Sequence, residues 1–177
     1  MTKSLHRQLV LKPQDLYVLL ALAALRNAPS TYPGLAAFAG LSMSEVHGAL
    51  KRAQQARLLI FEEKRPRILV PAFKEFLFHG AKYAFPPMRS EMVAGVPTAH
   101  AAPPLNQHIA PSSDPAPVWP SIEGKVRGVG LVPLYPSAPA AALRSAPLYE
   151  NLALFDALRI GSARERALAQ KLFDERL

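Results

Sequence analysis

The sequence has no cysteine among its 177 residues. That excludes a disulfide framework, a thiolate metal site and a cysteine nucleophile. It also has little apolar sequence in long runs. The stretch Leu16–Leu25 is ten residues, where a membrane-crossing helix takes about 20. Ala21-Leu22-Ala23 has the look of a signal-peptidase site, but Pro13 and Asp15 stand just before the run, where a helix start wants them and a signal core does not. The run therefore reads as a buried helix, and the expected location is cytoplasmic. Catalytic signatures are missing too. There is no G-x-S-x-G elbow, no phosphate-cradling glycine loop and no dinucleotide fingerprint. The carboxylate pairs Glu62-Glu63 and Asp174-Glu175 do not converge on one point. The five histidines, His6, His47, His79, His100 and His108, show no i, i+4 pair and no metalloenzyme motif. No enzyme activity, cofactor or metal is expected.

Proline and positive charge are what the chain has in excess. Of 18 prolines, 13 lie between Pro86 and Pro147, a density that forbids long helices there and favours extended backbone. Residues 1–89 carry 13 Lys and Arg against five acids, whereas residues 90–177 carry eight of each. The whole excess of +8 thus falls in the first half, and a polyanion is the natural partner of such a surface.

That first half reads as three helices and a hairpin. Leu16, Leu19, Leu20 and Ala23 recur at helical spacing between Pro13 and Arg26, and Asn27-Ala28-Pro29 supplies a stop. A second helix spans Tyr32 to Ala39, with Pro33 in its first turn and Gly40 as a left-handed cap. Ser42-Met43-Ser44-Glu45 is a capping box that opens a third helix to Arg57. Its Val46, Ala49, Leu50 and Ala53 form an apolar stripe. Ser44, His47, Gly48, Lys51 and Gln55 lie opposite, with Arg52 beside them. Leu58–Glu63 and Arg67–Val70 read as strands joined by a basic turn, Lys64-Arg65-Pro66.

Ser30–Leu59 resembles the core of MarR-like winged helix-turn-helix transcription regulators. Leu35-Ala36, Gly40-Leu41-Ser42, Ser44, Val46 and Ala49 match that pattern, and the resemblance covers about residues 10–75. Gly48, inside the third helix, departs from it, as does the short wing. The resemblance implies a winged helix-turn-helix with the third helix, about 43–57, in a DNA major groove. Ser44, His47, Lys51 and Arg52 would then face the major groove, with Ser42 also among the DNA-binding residues. Lys64, Arg65 and Arg67 in the wing, with Thr31 and Tyr32 at the start of the second helix, would hold the backbone.

The remainder divides less clearly. Pro71–Gly80 reads as a short amphipathic helix stopped at Gly80. Residues 81–136 form a proline-rich, mostly extended arm, with Met92–Val96 and Val126–Val132 as possible strands and Trp119 as an anchor onto the body. Residues 137–177 return to helix: Ala140–Arg144, Pro147–Ile160, and a last helix opened by the capping box Ser162-Ala163-Arg164-Glu165. The expected fold class is mainly α with a small β-hairpin wing, divided as 1–80, 81–136 and 137–177, the last segment serving packing or dimerisation. Two functions remain open. One is a prokaryotic, sequence-specific regulator, a repressor acting as a homodimer on double-stranded DNA. The other is a protein-interaction or antitoxin-like module, in which the arm grips a toxin-like companion protein.

Overall fold

The computed structural model describes residues 9–26, 31–110 and 113–177. They form a mixed helix and strand fold with two separate sheets. Helix α1 (Pro13–Ala24) starts where Asp15 accepts a hydrogen bond from the Lys12 N–H at 2.8 Å. Every residue from Asp15 to Ala23 is buried. The stop read at Asn27-Ala28-Pro29 lies outside the described residues. Helix α2 (Tyr32–Ala39) ends at Gly40, whose φ of 66° puts it in the left-handed region, and only Gly40, Leu41 and Ser42 separate it from α3 (Met43–Gln55). Helix α3 ends through Arg57, at φ 57°, with the Leu58 N–H returning to the Ala53 carbonyl. That left-handed turn sends the chain directly into strand β1 (Leu59–Glu62), paired antiparallel with β2 (Arg65–Ile68).

The hairpin turn falls one residue earlier than its sequence suggests. The loop is Glu63-Lys64, both at positive φ, and Arg65 and Pro66 belong to β2. Two-residue loops need this backbone because it matches the twist of the strands. Glu and Lys are poor choices for it, so the sequence pointed instead to the proline. In such a hairpin the pair flanking the loop, Glu62 and Arg65, is the hydrogen-bonded one. The next pair, Phe61 and Pro66, is therefore not, and the missing proline N–H costs the ladder nothing.

Beyond the hairpin, α4 (Val70–Glu75), a π-helical turn (Phe76–Gly80) and α5 (Ala81–Ala84) follow without a break. Gly80 does not stop the helix as expected: its φ of −108° is not the left-handed conformation that ends one. The proline-rich segment holds a three-stranded sheet, β3 (Arg89–Pro97), β4 (Pro117–Pro120) and β5 (Val126–Leu131), in which each strand pairs with the other two. Glycine makes this closure possible. A Cβ on Gly124 would lie 2.0 Å from the Gly95 carbonyl carbon, so the two backbones meet where no side chain fits.

Helices α6 (Ala138–Arg144), α7 (Ala146–Ile160) and α8 (Ala163–Asp174) complete the chain. In α7 every residue from Asn151 to Leu158 is buried. One core cluster takes in α1, α3, Trp119 and α7 together, so the three segments separated at 80/81 and 136/137 pack as one body. Asp156, 1% exposed, accepts hydrogen bonds from Thr98 Oγ1 and Trp119 Nε1, both at 2.7 Å, and is paired with Arg159. Trp119 does anchor the proline-rich segment, through a carboxylate that the sequence did not single out. Among the described residues no helix is long and apolar enough to cross a membrane.

Candidate functional site

Helix α3 carries the candidate site because its two sides are so unlike. Val46, Ala49, Leu50 and Ala53 are buried, while Ser44, His47 and Lys51 are exposed at spacings of three and four. Neither Ser44 nor Lys51 has a hydrogen-bond or ion-pair partner among the described residues. The His47 ring lies 5.7 Å from the ring of Tyr32, which brings the start of α2 beside this face. Four of the expected residues, Tyr32, Ser44, His47 and Lys51, therefore come together.

Three others are occupied. Thr31 caps α2, its Oγ1 accepting from the Gly34 N–H at 3.2 Å. Ser42 caps α3: its hydroxyl accepts from the Glu45 N–H at 3.2 Å and donates to Glu45 Oε2 at 2.7 Å. Both capping bonds of the Ser42–Glu45 box expected from sequence are present. Arg52 faces no groove. Its guanidinium turns inward onto Asp15, with Nε at 2.8 and 3.0 Å from the two carboxylate oxygens and Nη2 at 2.6 Å. Asp15 is completely buried and Arg52 is one-fifth exposed. The hydrogen bonds to Asp15 hold the Arg52 pKa above its ordinary value. The placement of Arg52 among base-facing residues is thus overturned. A buried carboxylate must be paired, and Arg52 is the cation that pairs it.

Gly48, the anomaly in this helix, has a local explanation. A Cβ there would stand 3.3 Å from Arg52 Nη1, so its absence clears the path along which the guanidinium folds back. Glu45 is also held on the same flank. Its carboxylate accepts from Gln14 Nε2 at 3.0 Å and from the Tyr135 hydroxyl at 2.9 Å. The bonds from Ser42 first, then from Tyr135, pull its pKa down to about 2. Tyr135 stacks on Tyr17 with ring centroids 5.5 Å apart, and burial raises the pKa of both phenols.

The hairpin is less basic than its Lys and Arg count implies. Lys64, Arg65 and Arg67 are all exposed, but Arg67 is paired with Glu62 at 2.7 Å and Glu63 occupies the loop. Lys64 and Arg65 have no ion-pair partner among the described residues. Arg57, exposed in its left-handed turn between α3 and β1, adds a third cation that sequence reasoning passed over, because it was read as the end of a helix. Behind the hairpin a cleft of about 870 Å³ is lined by Arg26, Arg65, Arg67 and Arg176, but also by Glu62, Glu63 and Glu175. That lining is mixed in sign and shows no preference for an anion. No group of three metal-ligating side chains occurs among the described residues. The chain matches no protein-family model, no curated protein and no solved structure.

Proposed function

We propose that the chain is a DNA-binding transcriptional regulator of the winged helix-turn-helix, MarR-like kind, acting in the cytoplasm of a prokaryote. The observation that carries this reading is the face of α3: Ser44, His47 and Lys51 are exposed in line, with Tyr32 alongside. A helix held from behind, and small near its start, suits a major groove. Lys51 is the residue for a guanine edge, with Ser44 and His47 beside it. Tyr32, Arg57, Lys64 and Arg65 serve phosphates, which positions the helix without reading sequence.

In the interaction-module alternative the proline-rich arm grips a companion protein. Trp119 is not free for such a contact, being 1% exposed and bound to Asp156. Of the C-terminal helices, α7 is buried within the chain, and α8 turns Arg164, Ala167 and Lys171 outward.

Fluorescence anisotropy with a short random-sequence duplex tests the reading. Lys51, Arg57, Lys64 and Arg65 are exposed cations of α3 and the hairpin without an ion pair among the described residues, so if these four meet the duplex the log–log dependence of affinity on salt should have a slope of about −3 to −4 between about 50 and 200 mM. Lys51→Ala should reduce that slope by about 1 and relax sequence preference, and Arg65→Ala should weaken all duplexes alike. No binding at the lowest salt would overturn the reading.

A further inference from the structure

Glu45 and Arg52 stand seven residues apart in α3. At 100° per residue this places them on one flank of the helix, between its buried stripe and its exposed face. Each is tied to α1, and to neighbouring residues of it: Glu45 to Gln14, Arg52 to Asp15. The two ties differ in kind. The Arg52 fork grips a fully buried carboxylate at two oxygens, and a planar two-point contact of this sort resists rotation as well as separation. The Gln14 tie is a single bond near the start of both helices, braced by Tyr135, whose hydroxyl lies 2.9 Å from Gln14 Nε2. Val46, Ala49, Leu50 and Ala53 are buried and set which side of α3 faces inward. Two polar ties on one flank, two turns apart, add a directional constraint on its rotation that apolar contacts lack.

We infer that the Asp15–Arg52 pair, with Glu45–Gln14 as its lesser companion, sets the rotation of α3 about its own axis and thereby aims Ser44, His47 and Lys51. Arg52 is then a positioning residue for sequence discrimination, acting through the exposed face without touching the duplex. Gly48 belongs to the same device, because a side chain there would press on the guanidinium. The inference rests on the proposed DNA-binding reading. It also gives Arg52 a role opposite to direct contact. A contacting cation adds affinity on every sequence and adds to the salt slope, whereas a positioning residue changes only the difference between sequences.

The test uses the full chain and two probes, a duplex enriched by the wild-type protein from a randomised pool and a random-sequence duplex. Arg52→Lys keeps the charge and loses the planar fork. The expected result is a drop of about tenfold or more in the ratio of the two affinities, with affinity for the random duplex and its salt slope unchanged. Gln14→Ala leaves the buried pair intact and should lower the ratio by about threefold, so a failure of the lysine variant to fold does not end the test. An unchanged ratio in folded variants overturns the inference. A loss on both probes together, with a shallower salt slope, also overturns it, because that is the signature of a direct contact. Absence of duplex binding by the wild-type chain overturns the parent reading and takes this inference with it.

Discussion

Glu45 shows how much a single side chain can be asked to do. Its carboxylate closes the cap of α3 on Ser42, ties α3 to α1 through Gln14, and accepts from the Tyr135 hydroxyl just ahead of α6. The first of these roles was legible in the sequence, since a serine followed three residues later by glutamate is a local signal. The other two were not, because their partners lie 31 and 90 positions away. The same limit explains Arg52. Its partner is 37 residues upstream, and an arginine beside an exposed helix face looks the same whether it reaches for a groove or for a buried aspartate. Glu45 also makes a pH prediction with a definite sign. Its pKa is lowered from 4.5 to about 2, so the folded state favours the carboxylate. Its contribution to stability is complete above pH 4.5 and disappears as the pH falls toward about 2. Urea midpoints measured across that window should fall with acidification, and Glu45→Gln should flatten the part of the decline owed to this group. An unaltered profile in the variant would assign the acid sensitivity elsewhere.

Among the elements, the passage from α3 to the hairpin carries backbone strain at Arg57. Arg57 takes a left-handed conformation that costs a residue with a Cβ about 1–2 kcal/mol, and glycine would hold it without penalty. The chain keeps an arginine there. If Arg57 serves a phosphate, the strain is retained for function. Arg57→Gly should therefore raise stability by about 1 kcal/mol, read as a higher denaturation midpoint, and lower duplex affinity with a salt slope shallower by about 1. A stabilised variant with unchanged binding would remove Arg57 from the interface. The loop Glu63-Lys64 is an unusual occupant of a two-residue hairpin turn for the same steric reason, and that is why the turn could not be located from residue type. The strands of the proline-rich segment were hidden by a different cause. Met92–Val96 and Val126–Val132 are visible as apolar pieces, and all of them but Val132 fall in strands, whereas Pro117–Pro120 begins and ends in proline and reads only as part of an extended arm. It is a strand because it pairs with β3 over Val118–Pro120 and with β5 at Pro117 and Val118, and Trp119 is held in place by Asp156.

At the scale of the molecule, the sequence divides where the structure does not. The change in proline content near residue 81 and the return of helix near 137 mark shifts in local conformation, and local conformation says nothing of which surfaces meet. Helix α1 is apolar on every side, a pattern that required cover beyond α2, α3 and a hairpin. That cover is α7: Asn151 donates to the Leu20 carbonyl at 3.1 Å, and both helices belong to one core. Tyr135 and Ser137 add a strap across the α2–α3 turn, with Ser137 Oγ donating to the Ala39 carbonyl at 3.1 Å and Tyr17 donating to the same oxygen at 2.6 Å. A fragment of residues 1–80 would expose the α7-facing side of α1, lose the strap and leave the Leu20 side without its partner. A unit of that size buries only about 60% of its unfolded surface even when intact, so it has little stability to give up. The fragment should show no cooperative thermal transition by circular dichroism and should be degraded rapidly by a protease that the full chain resists. A sharp melt from the isolated fragment would mean that α1 finds sufficient cover within the first three helices, and the proposed DNA-binding unit would then be a domain in its own right.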